Sequence, residues 1–126
     1  MLSDLFSFPI YVRVARNEFR LRNIRSNVEV STSSKVPFTT RRLLIGQFSV
    51  AEETLKLALK EAAPAGLFAP SPHILIHPLE MTEDGLSQVE ERVFREIAAA
   101  AGASKVRVWI GPELVNSEVI AKLKKS

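Results

Sequence analysis

Between Ile10 and Val30 apolar and polar residues alternate with a period of two, and this pattern limits what the chain can become. Ile10, Val12 and Val14 point one way, while Tyr11, Arg13 and Ala15 point the other. Phe19 and Leu21 then alternate with Arg20 and Arg22, and Val28 and Val30 flank Glu29. Side chains of a strand project to opposite faces in turn, so the stretch reads as extended chain with one covered face. The pairs Arg16-Asn17 and Ser26-Asn27 are turn-prone, which makes it two hairpins, or three antiparallel strands. Residues 31–40, polar and interrupted by Pro37, read as a loop.

Helical signals follow. Ser49 and Glu52 have the spacing of a capping box, and Ala51, Leu55, Ala58, Leu59 and Ala62 recur on one helical face up to Pro64. Residues 63–72 hold three Pro and one Gly and read as an irregular linker. The short apolar run from His73 to His77, closed by Pro78, predicts a buried strand. Residues 81–85 read as a loop. A second capped helix spans Ser87 to Ala101, with Glu90 completing the box and Gly102 closing the helix. Lys105 to Ile110 alternates as a strand, and a final helix runs from Pro112 or Ser117 to Lys124. Parallel strands need crossovers, which the helices supply. The expected fold is α/β, in the order β-β-β-α-β-α-β-α, with one five-stranded mixed sheet and helices on its faces. At 126 residues the chain fits one domain, residues 1–126, with a real core.

Charge is unevenly spread. The net formal charge is +3, yet residues 1–60 hold ten Lys/Arg against five Asp/Glu, and residues 61–126 hold seven against nine. Arg13, Arg16, Arg20, Arg22 and Arg25 concentrate the excess. Such a patch suits nucleic acid, an anionic lipid surface or an acidic protein face; it also suits the solvated face of strands. No apolar run nears the roughly 20 residues of a membrane-spanning helix, and the N-terminus lacks the pattern of a signal peptide. Cysteine is absent, so neither disulfides nor thiolate chemistry arise, and a cytoplasmic location fits. The apolar Met1, Leu2, Leu5, Phe6 and Phe8 could touch a membrane weakly or pack onto the domain.

His73 and His77 suggest a metal pair, but four residues of strand separate them by roughly 13 Å. One ion cannot bridge that, so they read as polar residues at a strand edge. No Gly-x-Ser-x-Gly elbow or Gly-rich phosphate loop is present.

Several segments, in order, resemble the bacterial actins of the rod-shape-determining (MreB) family. Leu5-Phe6-Ser7 and Ile10-Tyr11-Val12-Arg13-Val14-Ala15-Arg16 are similar to that family's opening Leu-Phe-Ser and Ile-x-Ile-Asp-Leu-Gly-Thr. Leu44 to Val50 looks like its Val-Ala-Asp-Phe-Asp-Val segment, and Ile74 to Pro78 like its strand ending Val-Pro. Val89 to Pro112 resembles its Val-Glu-Arg-Arg helix, Ala-Gly-Ala end and following strand. The resemblance implies a single actin lobe, the first ribonuclease H-like subdomain. It also implies where a nucleotide site would lie, and there the chain departs. The family's metal-facing Asp and Gly-Thr correspond to Arg13, Ala15 and Arg16: a cation replaces a Mg²⁺-facing acid, and a Cβ appears where backbone must approach phosphate. Glu90 falls at the family's water-orienting Glu, although its place in the Ser87 box makes it a helix cap. A ribonuclease H-like nuclease also needs carboxylates on the first strand; here Asp4 lies ahead of it. The expectation is a pseudo-ATPase, not an enzyme, with no cofactor and no metal. It would be a non-catalytic actin-like interaction domain linked to cell shape, with a protein partner (an actin-like protein among the candidates) or a second copy of itself. The alternative is a nucleic-acid-binding module using the basic hairpins.

Overall fold

The computed structural model describes residues 7–63 and 70–125. Along the chain run β1 (Ser7–Ala15), β2 (Glu18–Asn23), β3 (Glu29–Ser33), α1 (Phe48–Ala62), β4 (Ser71–Pro78), α2 (Gln88–Ala100), β5 (Lys105–Val108) and α3 (Asn116–Lys124). One five-stranded sheet has the order β3-β2-β1-β4-β5. β1, β2 and β3 form an antiparallel meander, and β4 and β5 extend it in parallel. The chain is thus α/β, with a mixed sheet and three helices.

The meander turns where Asn tolerates left-handed backbone: Asn17 has φ 55° and Asn27 φ 61°. The Asn17 side chain also accepts from the Phe38 and Thr39 amides, tying the following loop to this turn. On one sheet face Ile10, Val12, Val14, Phe19, Leu21, Ile74 and Ile76 meet Leu55 and Ala58 of α1 and Phe94 and Ile97 of α2. Phe38 stacks on Phe19 with ring centroids 5.1 Å apart. Phe8, the one described member of the N-terminal apolar group, belongs to this core.

The other face is covered as well, so helices lie on both faces of the sheet, and the meander strand β1 is covered on both sides instead of one. Tyr11 and Leu75 are buried there beneath Leu114 and α3, which contributes Val119 and Leu123.

Local boundaries shift for identifiable reasons. Ser31 to Ser33 continue β3 instead of opening a loop, paired with Glu18 to Arg20. α1 opens at Phe48 with Gln47 as N-cap, and Ser49–Glu52 forms no box. Phe48 packs against the core, which draws the start forward, and Glu52 instead pairs with Lys56 at 2.8 Å. β4 begins at Ser71, inside the expected linker, whose residues 64–69 lie outside the described residues. Pro72 is tolerated because its carbonyl accepts from Ser104 N–H at 3.0 Å. Its ring nitrogen therefore faces the β5 side ahead of Lys105, the first paired residue there, and no ladder bond is lost. β5 ends at Val108, two residues early, as the chain turns through Gly111 (φ 146°). α3 starts at Asn116, beside the later of the two expected positions. Met1, Leu2, Asp4, Leu5 and Phe6 lie outside the described residues.

Candidate functional site

Strand pairing gathers the polar residues at one place on the α3 face. Tyr11 and Arg13 are successive outward residues of β1 on this face. Across the ladder, Tyr11 pairs with Arg22 and Arg13 with Arg20 on β2, while Arg13 pairs with His77 on β4. Arg22 in turn pairs with Glu29 on β3.

The centre is a buried Tyr–His pair. Tyr11 is 0% exposed and His77 2%, with rings stacked at 5.8 Å. His77 Nε2 lies 2.8 Å from the Gly111 carbonyl, which can only accept, so the proton sits on Nε2. Nδ1 is then an acceptor, and the Tyr11 hydroxyl donates to it at 2.6 Å. Leu114 N–H donates to the same hydroxyl oxygen at 3.2 Å. The relay Leu114–Tyr11–His77–Gly111 pins the loop between β5 and α3 onto the sheet. Burial lowers the His77 pKa, which the Gly111 bond and Glu113 partly offset. Burial likewise raises that of Tyr11, opposed by the Leu114 bond and Arg13. Both groups are held neutral.

Two guanidinium groups flank the Tyr11 ring, Arg13 at 5.3 Å and Arg22 at 5.2 Å from its centroid. Arg13 reaches Glu29 at 3.3 Å and Glu113 at 3.7 Å. Arg22 donates to the Leu114 carbonyl and to Asn116 Oδ1, both at 2.8 Å, and Asn116 donates to Asn27 at 2.7 Å. Among the described residues Arg13 Nε is buried without a partner, a cost the two carboxylates partly offset. Arg22, Glu29, Glu113 and Asn116 border a shallow groove at the start of α3.

Tyr11 and His77 are buried, and both ring nitrogens of His77 are committed to partners. Of the other two positions at which the resemblance implies a phosphate loop, Ala15 is buried. The Arg16 amide donates to the Glu80 carboxylate at 2.7 Å. That donor is therefore taken up by an internal anion. Glu90 completes its capping box with Ser87, at 2.9 and 3.1 Å.

Other expected sites are rearranged. His77 is not merely a polar residue at a strand edge: it is buried, and the ring is committed to Tyr11 and Gly111. Among the described residues no cluster of three His, Cys, Asp or Glu could hold a metal ion, and no helix is long and apolar enough to cross a membrane. The five arginines do not form one patch. Arg13, Arg20 and Arg22 share a face and are paired with Glu29, Glu113 and Glu18, whereas Arg16 and Arg25 lie at turns on opposite ends of β2. Sequence reasoning missed Tyr11, Glu29, Glu113 and Asn116 as members of the site. The available signal was the outward register of Tyr11 and His77 on two strands of one sheet.

No protein-family model matches the chain. The chain is similar to "Uncharacterized protein YjaA" of Escherichia coli (strain K12), with 36% identity over 124 residues that cover 91% of this chain and 96% of that protein. With a third of positions identical over nearly the full length of both, the chain belongs to the family of YjaA.

Proposed function

We propose that the chain is a non-catalytic interaction domain of the cytoplasm, built on a ribonuclease H-like sheet and descended from an actin lobe of the MreB type. In this reading it serves cell shape through a protein partner. One observation carries it. At the end of β1, where a nucleotidase needs an acid facing Mg²⁺, the Arg13 guanidinium lies between Glu29 and Glu113. Mg²⁺ requires hard anionic oxygen and is repelled by a fixed cation. The Glu80 carboxylate on the Arg16 amide acts in the same direction, because a phosphate would have to displace it. The meander continued by two parallel strands, each reached through a helix, supports the ribonuclease H-like assignment.

The ion pairs of Arg13, Arg20 and Arg22 weigh against nucleic acid at the hairpins, since phosphate contacts would compete with carboxylates already in place. Isothermal titration with Mg-ATP tests the proposal: no heat of binding is expected, and tight binding would overturn it.

A further inference from the structure

A second basic surface lies at the other end of the molecule. Lys105 and Arg107 are alternate residues of β5 and share the α3 face. Arg107 donates to the Lys125 carbonyl, which brings the C-terminal end of α3 alongside β5. Lys122, one turn back, sits 3.8 Å over the Trp109 ring. Lys124 and Lys125 complete the group and are exposed. Among the described residues no carboxylate lies within ion-pair distance of any of these five cations. Arg13, Arg20 and Arg22 are neutralised internally; this cluster is not.

The cluster borders the free edge of the sheet. Among the described residues β5 is the terminal strand, paired with β4 alone. Trp109 N–H donates to Ile76 on β4. Backbone groups alternate sides along a strand, so those of Val106 and Val108 face outward. The Arg95 guanidinium approaches the Val106 carbonyl only at 3.5 Å. An open edge offers main-chain pairing that only another polypeptide can use.

We propose that β5 receives an extended acidic segment of a partner protein, added as a sixth strand whose alternate carboxylates meet Lys105 and Arg107. This rests on the interaction-domain reading and names the chemistry of its partner. Peptide is favoured over nucleic acid because Lys122 covers a face of the Trp109 ring on which a base would stack. A second copy of this chain is disfavoured, since β5 against β5 would bring Lys105 and Arg107 against their own kind.

The test uses the full chain and three fluorescent probes: a peptide of alternating glutamate and valine, its lysine–valine counterpart, and a single-stranded oligothymidylate. Saturable binding of the acidic peptide is expected, with Lys105→Glu and Arg107→Glu each weakening it by about tenfold or more. Lys60→Glu, on exposed α1 surface, should leave it unchanged. Lys105→Glu keeps the test valid if losing the Arg107–Lys125 contact disturbs α3. Amide exchange at Val106 and Val108 should slow in the complex. Failure of the acidic peptide to bind, tighter binding of the oligonucleotide, indifference to both charge reversals, or unchanged exchange at the two valines would each overturn the proposal. None of these outcomes bears on Mg-ATP, so failure here and failure of the interaction-domain reading are separately visible.

Discussion

The Tyr11 hydroxyl donates to His77 Nδ1 at 2.6 Å across 66 residues of sequence. Through it the first strand holds a loop formed near the end of the chain, because Leu114 N–H and the Gly111 carbonyl complete the same relay. This pair and the apolar packing of Leu114, Val119 and Leu123 together close the α3 face.

Removing that hydroxyl tests the relay. Tyr11→Phe leaves His77 Nδ1 and the Leu114 amide buried without partners, at a cost of about 1–3 kcal/mol for each such group. Urea denaturation should show a loss of this order with an unchanged slope. Native-state hydrogen exchange should show the Leu114 amide opening more readily than core amides of β1.

Acid should weaken the fold through His77. Its folded-state pKa lies below the ordinary 6.5, so between the two values the unfolded chain binds more protons. Stability is therefore fully present above about pH 6.5 and falls as pH drops towards the folded pKa, by at most about 1.4 kcal/mol per pH unit. Denaturation midpoints at pH 7.5 and 5 measure this. In His77→Gln the contribution of this group to the slope should vanish.

The helix cap predicts a contrast between two substitutions. Glu90→Gln retains an acceptor for the Ser87 amide and should change stability little, whereas Ser87→Ala should cost about 1 kcal/mol. Thermal melts of the two variants check it. An equal, large loss in both would assign Glu90 a role beyond the cap.

The ion pairs should divide unequally. Glu29 and Glu113 side chains are each 61% exposed, and exposed pairs contribute about 0–1 kcal/mol. Glu29→Gln and Glu113→Gln should each be mild in chemical denaturation. Arg13→Ala should cost more, because the Arg13 side chain is only 12% exposed and packs on Tyr11.

Much of the fold was legible locally. Alternation located the meander, Asn17 and Asn27 its turns, Ser87 the start of α2, and Leu55 and Ala58 the buried side of α1. What was illegible depends on distant partners. Ser49 and Glu52 look like a good cap in isolation; Phe48 overrides them because it has a core to pack against. Pro72 reads as a strand breaker until the start of β5 shows that its missing donor faces no acceptor. Arg13 and Arg22 read as one cationic patch because Glu113 and Asn116 are about a hundred residues away. Tyr11 and His77 become a pair only once β1 and β4 are in register.

The central claim is that the end of β1 is closed to a magnesium nucleotide by Arg13 and its carboxylates, with Glu80 on the Arg16 amide. A titration of Mg-ATP into isotopically labelled chain, followed at the Arg16 amide, tests it most directly. No saturable movement is predicted up to about 1 mM, the range of weak binding. A saturating shift of that resonance at micromolar nucleotide would contradict the account.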